Sequence, residues 1–440
     1  MNAKNTSAVY LAMAAMFMLY GMSAVALNLA APLGNVWMQQ PGIAGSKTLG
    51  MMGNMMSFCA NIFIGIPTGV MLQRIGYKKT SLIAIALGFV GMLIQWSSGW
   101  LGAGALLGGV AASFFVYLVG AFVTGLFVCM INAVVSPMLN SLGGGGKRGN
   151  QLNMIGCSFN SVCATATPWL VGNLIGEKLR SSGVSVADVY PVLYIAMAIF
   201  ALAFLIVAAS PIANPPSTAD AGEKVPLSGP FRFRNCRWGL VAVFIYAGVE
   251  IAIPGTMNFW LCDKAAGVLG AEVNSGAVGG FFFGAYMALM LTGRIIASFI
   301  GGMIAPRRLL AATGVGAMAL IAAGVAVSSV YVTLPIPVAG KVAVPLSCVF
   351  FALCGLCCSV MWASVFNLAV EGLGKYTEVA SGLFMTFAVG GGVVPLTQGF
   401  VSDHFGYMVS YAVPFAGLAY LTSYALFLSR AETAVHSGKE

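Results

Sequence analysis

The chain has 440 residues, of which 59% are hydrophobic (AVILMFWYC) and only 8% are charged. Soluble proteins have roughly a quarter of their residues charged, so this composition excludes a water-soluble fold. The net charge of +9 does not indicate a nucleic-acid partner, because the 21 Lys and Arg are spread thinly between apolar runs and form no basic stripe. The composition is typical of a protein that crosses a bilayer many times.

Twelve apolar segments are long enough to cross a bilayer as helices, and we number them spans 1 to 12 in chain order. Lys4 precedes span 1 and no clear cleavage site follows it, so we expect span 1 to be retained as a helix. Six spans lie at roughly 8–33, 47–73, 79–97, 112–138, 150–176 and 189–210. Six more lie at roughly 237–262, 275–303, 308–329, 343–371, 376–402 and 407–429.

The segment between the two sets of spans, SPIANPPSTADAGEKVPLSGPFRFRN, is the stretch with the composition of a linker, rich in Pro, Ser and charge. It predicts three parts in the chain. These are an N-terminal six-helix bundle over 1–210, a cytoplasmic linker over 211–235 and a C-terminal six-helix bundle over 236–440.

The distribution of basic residues predicts the orientation. With both termini in the cytoplasm, the inside loops hold fifteen Lys and Arg and the outside loops hold five, with Arg294 left inside span 8. Cytoplasmic loops are enriched in Lys and Arg, so this bias places both termini inside. Together with the retained first span, it indicates a multi-pass protein of the bacterial cytoplasmic (inner) membrane.

The two halves of the chain resemble each other when one is shifted by 227 to 231 positions. The corresponding segments are GVMLQRIGYKK (69–79) with IGGMIAPRR (300–308), PWLVG (168–172) with PLTQG (395–399), and NSLG (140–143) with EGLG (371–374). Three pairs in the same order favour duplication over chance. Two similar six-helix halves predict a pseudo-twofold axis along the membrane normal and a substrate site between the halves near the midplane.

The loop GVMLQRIGYKK, in which glycines and cations surround a turn, resembles the signature loop of the major facilitator superfamily. The segment VFNLAVEGLGKYTEVASGLFMTFAVGGGVVPLTQGFVSDHFG (365–406), with TGRIIASFIGGMIAPRRLL on span 8 and YAGVEIAI on span 7, resembles the fucose, galactose and glucose permease branch. The resemblance implies the major facilitator fold, an all-α membrane protein with 12 transmembrane helices in two pseudo-symmetric six-helix bundles. It also implies a transporter rather than an enzyme.

The chain departs from that branch at the acids of spans 1 and 4 to which proton coupling is attributed. Ala31 and Asn132 stand at these positions. No Asp or Glu occurs from Met1 to Gly176, so coupling through carboxylates of the N-terminal half is excluded.

Glu250 is the one acid in the middle of a span. It lies thirteen residues from Arg237 and thirteen from Asp263, about 20 Å from either end of span 7. An ionised carboxylate at that depth costs roughly 2.5 to 3.5 kcal/mol, so Glu250 should face the cavity, be paired or be protonated. We predict that it couples transport to a proton or sodium ion or accepts a hydrogen bond from substrate hydroxyls. The alternative is a structural hydrogen bond between helices.

Three charged residues are candidates for gating. In the signature loop Gln73 replaces the acid that usually precedes Arg74, whereas the comparable loop GFVSDHFG keeps its acid, Asp403. Arg294 lies in the inner part of span 8. We expect it to pair with a helix C-terminus or with an acid near the inner gate such as Asp403, in preference to binding substrate directly.

Uncharged polar side chains at membrane depth, together with tryptophan, predict a sugar site. Amides form paired hydrogen bonds with vicinal hydroxyls, and an aromatic ring packs on the apolar face of a pyranose. Any one Asn is equally suited to joining two helices, and an outer Trp to anchoring at the interface. The predicted substrate-binding residues are Asn28, Asn132, Asn160, Asn258, Trp260, Trp362 and Asn367.

Catalysis and cofactor binding are not predicted. His404 and His436 are the only histidines, and we place both at the cytoplasmic face or tail, where neither supports a metal site or a catalytic triad within the membrane. The segment GGGGKRG (143–149) lacks the spacing of a phosphate-binding loop. No cofactor or metal is expected.

The sequence therefore predicts a symporter for a sugar or sugar-like solute that works as a monomer in the lipid bilayer by alternating access. One alternative is a permease for another polar metabolite, such as an amino sugar or a cell-wall fragment. Another is a transporter-like receptor that binds its ligand without moving it. The sequence leaves open the sugar, the direction of transport and the choice between proton and sodium.

Overall fold

The structure is a computed structural model that describes residues 3–40, 42–43, 45–102, 104–142, 146–180, 185–210, 228–270, 272–300, 305–337, 339–373 and 376–429. The spans of the first half are the helices Ala3–Asn28 and Ala30–Trp37 (span 1), Lys47–Ser97 (spans 2 and 3), Ala112–Leu142 (span 4), Gly146–Arg180 (span 5) and Tyr190–Ala209 (span 6). Those of the second half are Arg234–Cys262 (span 7), Ser275–Ile300 (span 8), Pro306–Ala326 (span 9), Ser347–Cys358 and Met361–Val370 (span 10), Thr377–Phe387 and Gly390–Phe405 (span 11), and Tyr407–Ser410, Ala412–Ser423 and the π-helix Tyr424–Leu428 (span 12). Short 3-10 helices lie at Val186–Val189, Gly229–Arg232 and Lys264–Ala266.

The long helix Lys47–Ser97 is two spans joined by a sharp turn at Gly76. Gly76 has φ 81° and ψ 172°, a backbone conformation outside the helical region. Glycine adopts a positive φ without steric cost because it has no Cβ. The turn lies within the predicted signature loop and separates span 2 from span 3. At the other end of span 2, Ser46 Oγ accepts a 3.3 Å hydrogen bond from Leu49 N and caps the helix.

The surface of the helices is apolar. Ten helical stretches of the described residues are long and apolar enough to cross a membrane. Large side chains project from them, among them Phe63, Leu205 and Phe427, which are 65%, 66% and 65% exposed. So much apolar surface would be a liability in water but suits contact with lipid, and helices satisfy their own backbone hydrogen bonds there. The chain is a multi-pass membrane protein.

Two antiparallel β-hairpins interrupt the helical pattern, and the sequence does not predict either of them. Leu106–Leu107 pairs with Val110–Ala111 between spans 3 and 4. Tyr331–Ile336 pairs with Gly340–Pro345 between spans 9 and 10, with Tyr331 opposite Pro345. Both hairpins connect consecutive helices, and the second takes in residues 343–345, which the sequence assigns to the start of span 10.

Buried apolar side chains form two clusters. One lies wholly within residues 12–207. The other covers 236–425 and takes in Ala24, Met38, Met51 and Ala164 from the first half. Of the predicted linker, residues 211–227 lie outside the described residues.

The predicted correspondence between the halves recurs in the structure. Lys78 Nζ donates to the carbonyl oxygens of Ala208 and Ser210 at the C-terminus of span 6, both at 2.8 Å. Its counterpart Arg307 donates through Nη2 to the Ser429 carbonyl at the end of span 12, at 3.1 Å. In both halves a cation therefore satisfies carbonyl groups that a helix end leaves unpaired. We call the end of the molecule that holds Lys78 and Arg307 the basic end, and the other the opposite end.

Glycines allow the halves to approach each other along two interfaces, span 5 against span 8 and span 2 against span 11. A Cβ added at Gly172 would clash with the Gly276 carbonyl oxygen of span 8, and one added at Gly399 would lie 3.0 Å from the Lys47 carbonyl oxygen of span 2. Gly172 and Gly399 end the predicted pair PWLVG and PLTQG, so this correspondence recurs as well. The third pair, NSLG and EGLG, includes residues outside the described part of the chain.

Candidate substrate site between the halves

An ion pair lies where the two halves meet. Arg294 Nη2 of span 8 is 3.7 Å from Glu250 Oε1 of span 7, and the two side chains are 34% and 22% exposed. Arg294 Nη1 also donates a 2.8 Å hydrogen bond to Ser161 Oγ of span 5, in the other half. A charge at membrane depth is costly unless it is paired or reached by water, and Glu250 is paired with Arg294. The arrangement brings a carboxylate, a guanidinium and a hydroxyl together at the interface between the halves.

Aromatic side chains of the second half adjoin the ion pair. Tyr246 lies one helical turn before Glu250, and its OH donates a 3.2 Å hydrogen bond to the Cys358 carbonyl of span 10. The Trp362 ring centroid is 5.9 Å from that of Tyr246. Trp362 is half-buried. Trp362, the predicted stacking residue, therefore lies close to the ion pair, with Tyr246 between them.

A cluster of small polar side chains lies in the first half, next to Ser161 in the chain. Asn160 Nδ2 donates to the Tyr20 carbonyl at 2.9 Å and to Ser23 Oγ at 3.3 Å. Ser23 Oγ lies 3.3 Å from Asn132 Oδ1. We call Ser23, Asn132 and Asn160 the amide cluster; its members come from spans 1, 4 and 5. Asn160 directly precedes Ser161, so the cluster adjoins the hydrogen bond that Arg294 makes with the first half.

Asn28 has a local role in span 1. Its Nδ2 donates a 2.8 Å hydrogen bond to the Ala24 carbonyl, and the residue is 6% exposed. The helix is interrupted just after it, between Asn28 and Ala30. Asn28 satisfies a carbonyl next to this interruption.

The remaining predicted substrate residues lie away from the ion pair. Asn258 is 2% exposed and accepts a hydrogen bond from Asn35 Nδ2 of span 1. Trp260, 7% exposed, is packed in the apolar cluster of the second half. Asn367 is exposed on the helix Met361–Val370. Among the predicted residues, the structure brings Asn132 and Asn160 together and sets Trp362 beside the ion pair.

Asp403 lies at the opposite end of the molecule. Its Oδ1 accepts a 2.7 Å hydrogen bond from Lys47 N, and its Oδ2 accepts from Thr48 N at 2.9 Å and Thr48 Oγ1 at 2.6 Å. These residues begin span 2, whose other end leads to Lys78 at the basic end. The predicted pairing of Asp403 with Arg294 near an inner gate is therefore wrong, because the acidic partner of Arg294 is Glu250.

The order of the spans explains why Asp403 does not lie near the inner gate. In the predicted orientation span 11 starts from an inner loop, so its last residues, Asp403 and His404, belong at the other side of the membrane. His404, next to Asp403, likewise lies at the opposite end and not at the basic end, which the sequence predicts to be cytoplasmic. A signal for the true partner is present in the sequence, since Ser46 and Thr48 are residue types that favour a helix N-terminus.

Further contacts between the halves close the opposite end. Asn54 Nδ2 of span 2 donates a 2.7 Å hydrogen bond to the Gly391 carbonyl of span 11. Lys47 Nζ lies 4.6 Å from the centroid of the Tyr407 ring, and the Tyr407 OH donates a 2.9 Å hydrogen bond to Asp263 Oδ2. With the bonds of Asp403, these contacts join span 2 to spans 11 and 12, and Tyr407 links span 12 to the end of span 7 within the second half.

Arg74, the remaining gating candidate, is exposed where span 2 approaches the basic end. The side chain of its neighbour Gln73 lies outside the described residues, as does His436. The described part of the chain contains no group of three or more His, Cys, Asp or Glu that could hold a metal ion. All ten cysteines are free thiols.

Comparison with known proteins identifies relatives among transporters, although no protein-family model matches the chain. A glucose/galactose transporter of Brucella abortus is 26% identical over 382 residues, which cover 85% of this chain and 84% of the relative. The L-fucose-proton symporter of Escherichia coli is 22% identical over 393 residues, covering 84% of this chain and 82% of the relative. The crystal structure of FucP, a major facilitator superfamily transporter, in the outward conformation matches with a TM-score of 0.63 and 19% identity over 96% of this chain and 100% of that chain.

The structural match confirms the predicted fold class, with twelve transmembrane helices in two pseudo-symmetric six-helix bundles. The related proteins are transporters and not enzymes, as the sequence predicts. The chain therefore has the fold of the major facilitator superfamily transporters, and glucose/galactose and fucose permeases are among the proteins that it is similar to.

Proposed function

We propose that the protein is a secondary active transporter that moves a sugar or sugar-like solute across the bacterial cytoplasmic membrane by alternating access. One observation carries the proposal: Arg294 of the Glu250–Arg294 pair in the second half donates a hydrogen bond to Ser161 of the first half, directly beside Asn160 of the amide cluster. The relatives named as transporters of glucose, galactose and fucose support this substrate class.

The chemistry of the site suits an uncharged polyhydroxyl solute. The ion pair has no net charge, so a neutral solute leaves the charge in the site balanced. Amide and guanidinium N–H groups donate hydrogen bonds to hydroxyls, and carboxylate and amide oxygens accept them. The proposed site consists of Asn132, Asn160 and Trp362 with Glu250 and Arg294, because Asn28, Asn258, Trp260 and Asn367 lie elsewhere.

Glu250 is the proposed coupling residue, and the proton is the proposed ion. A proton needs one carboxylate oxygen, whereas a sodium ion needs several oxygen ligands and would be repelled by the Arg294 guanidinium, 3.7 Å from Oε1. Residues 1–176 contain no Asp or Glu that could share the role. Protonation of Glu250 would release Arg294 from its ionic partner while the solute is bound.

The structure corresponds to a conformation that is closed at the opposite end. The positive-inside rule assigns the basic end and both termini to the cytoplasm, so this conformation faces inward. Asp403 acts in gating at the outer side and Arg74 at the inner side. The bundles 1–210 and 236–440 rock about the site, linked in the cytoplasm by 211–235, and one chain suffices because it supplies both halves.

Transport into proteoliposomes tests the function. The purified full-length chain is reconstituted, and uptake of labelled glucose, galactose and fucose is measured with an inward proton gradient, an inward sodium gradient or neither. We expect accumulation above the external concentration with the proton gradient alone. Accumulation driven by sodium would overturn the choice of ion. Binding without flux would assign the chain to the receptors, and flux limited to amino sugars or cell-wall fragments would change the substrate class.

A further inference from the structure

We propose that Ser161 is a positioning residue that transmits the charge state of Glu250 to the N-terminal half, a role that rests on the proposed function as a proton-coupled transporter. Its Oγ accepts the 2.8 Å hydrogen bond from Arg294 Nη1 and donates to the Cys157 carbonyl at 3.0 Å. Ser161 is 5% exposed, so water competes little for its hydroxyl. Through this hydroxyl, the cation of span 8 is linked to the backbone of span 5.

The carboxylates of the N-terminal half, Glu177 and Asp188, both come after residue 176, so the amide cluster needs such a contact to respond to a proton. Residues 1–176 hold no Asp or Glu. Arg294 contacts both halves, since its Nη2 is 3.7 Å from Glu250 Oε1 and its Nη1 is 2.8 Å from Ser161 Oγ. Asn160, next to Ser161, belongs to the amide cluster. A chain of contacts therefore runs from the coupling acid through Arg294 to Ser161, the neighbour of a residue of the proposed solute site.

Protonation changes the partners of Arg294. While Glu250 is ionised, the guanidinium charge is balanced within the second half. Once a proton is bound, the acceptors left to Arg294 are Ser161 Oγ, the Tyr246 hydroxyl and the hydroxyls of a bound solute, and a poorly solvated cation requires such acceptors. The proton stays on the carboxylate until the site opens to the other side and releases it. The other titratable side chains facing the pair are Tyr246, Tyr286, Cys358 and Cys157.

The chain offers a matched control on the same helix. Thr167 Oγ1 donates a 2.7 Å hydrogen bond to the Cys163 carbonyl, within its own helix, and Thr167 is 6% exposed. Thr167→Ala removes a buried hydroxyl from span 5 without touching Arg294. A merely structural role for the Ser161 hydroxyl predicts similar effects of Ser161→Ala and Thr167→Ala.

The test compares two modes of transport in proteoliposomes. Counterflow of labelled against unlabelled sugar needs the site and the conformational change, whereas uphill accumulation also needs proton coupling. We expect Ser161→Ala to keep counterflow and to lose accumulation by about tenfold or more, the effect of losing a hydrogen bond to a charged group. We expect Ser161→Thr, which retains the hydroxyl, to restore accumulation, and Thr167→Ala to leave the ratio of accumulation to counterflow unchanged.

Three results would decide against the proposal. Ser161→Ala could lose no more accumulation than Thr167→Ala does. The counterflow of Ser161→Ala could fall in proportion to its accumulation. Ser161→Thr could fail to restore accumulation. If Ser161→Ala does not fold, Ser161→Cys keeps the volume with a much weaker acceptor and is expected to show the same selective loss. Absence of counterflow in the wild-type protein with every sugar would instead overturn the proposed function, so the two failures are distinguishable.

Discussion

Asp403 accepts two hydrogen bonds from Thr48, one from the backbone N at 2.9 Å and one from Oγ1 at 2.6 Å. The two residues belong to different halves, so a carboxylate of one half satisfies the unpaired N–H groups at the start of a helix in the other. Ser46 caps the same helix from within its own half. The helix start therefore stays capped when Asp403 moves away, and the Asp403 bonds stabilise the closed conformation in particular.

We expect Asp403→Asn to shift the protein towards a conformation open at the opposite end. The amide keeps one acceptor oxygen but loses the negative charge at the N-terminus of span 2, which costs about 1 kcal/mol, or roughly fivefold in the ratio of closed to open molecules. Pulsed electron paramagnetic resonance between spin labels at Leu106 and Tyr331 measures the shift. These residues are exposed on the hairpins of the two halves at that end.

Asp188→Asn is the control for this prediction. Asp188 Oδ2 accepts a 3.0 Å hydrogen bond from Ser185 N, a contact within the first half. This variant should leave the distances between the labels unchanged. An Asp403→Asn protein with the wild-type distribution would show that the carboxylate does not hold the end closed.

Glu250→Gln is expected to separate transport from coupling. Glutamine retains hydrogen-bonding atoms but cannot bind a proton, so uphill accumulation should be lost while counterflow persists. Counterflow should also become nearly independent of pH in the variant, whereas we expect it to vary with pH in the wild type. Glu272→Gln, at an exposed position, serves as the control and should keep both activities. Undiminished accumulation by Glu250→Gln would remove Glu250 from the coupling role.

Positions along the membrane normal could be predicted from the sequence because they depend on counting residues in helices. The spans, the turn near Gly76 and the correspondence of Lys78 with Arg307 follow from apolar runs, glycine and basic residues. The depth of Glu250 follows from its distance to the two ends of span 7. These features are local or periodic, so one sequence suffices to find them.

Contacts between helices could not be predicted in the same way. They depend on which faces of the spans meet, and the pairing of Arg294 with Glu250 and Ser161 joins three helices that are distant in sequence. Asn258 and Asn132 are both single amides within apolar spans, so the sequence does not distinguish their roles. In the structure Asn258 joins spans 1 and 7, whereas Asn132 lies in the amide cluster. The end of the molecule at which Asp403 lies could have been predicted correctly, because the order of the spans alone determines it.

Asn132→Ala is expected to weaken substrate binding. The proposed site loses one amide, and a lost hydrogen bond of about 1 kcal/mol should raise the KM for sugar roughly fivefold with little change in maximal rate. Initial rates of uptake over a range of sugar concentrations measure this. Asn28→Ala, which removes an amide bonded within its own helix, should change KM much less. Equal effects of the two substitutions would argue against a direct contact between Asn132 and the solute.

Gly399→Ala tests whether close approach of spans 2 and 11 closes the opposite end. The added Cβ would lie 3.0 Å from the Lys47 carbonyl oxygen and 3.1 Å from Thr48 Cα, and backbone atoms there can move only together with span 2. Overpacking of this kind costs roughly 1 to 3 kcal/mol, so we expect longer distances between labels at Leu106 and Tyr331, and longer ones still for Gly399→Val.

Gly382→Ala is the matched control, because a Cβ at that helical position meets no atom within 4 Å. Alanine also favours a helix over glycine, by roughly 0.5 to 1 kcal/mol. An opening caused by changed helix propensity would thus be seen in both variants, whereas an opening caused by the span 2 contact should be confined to Gly399.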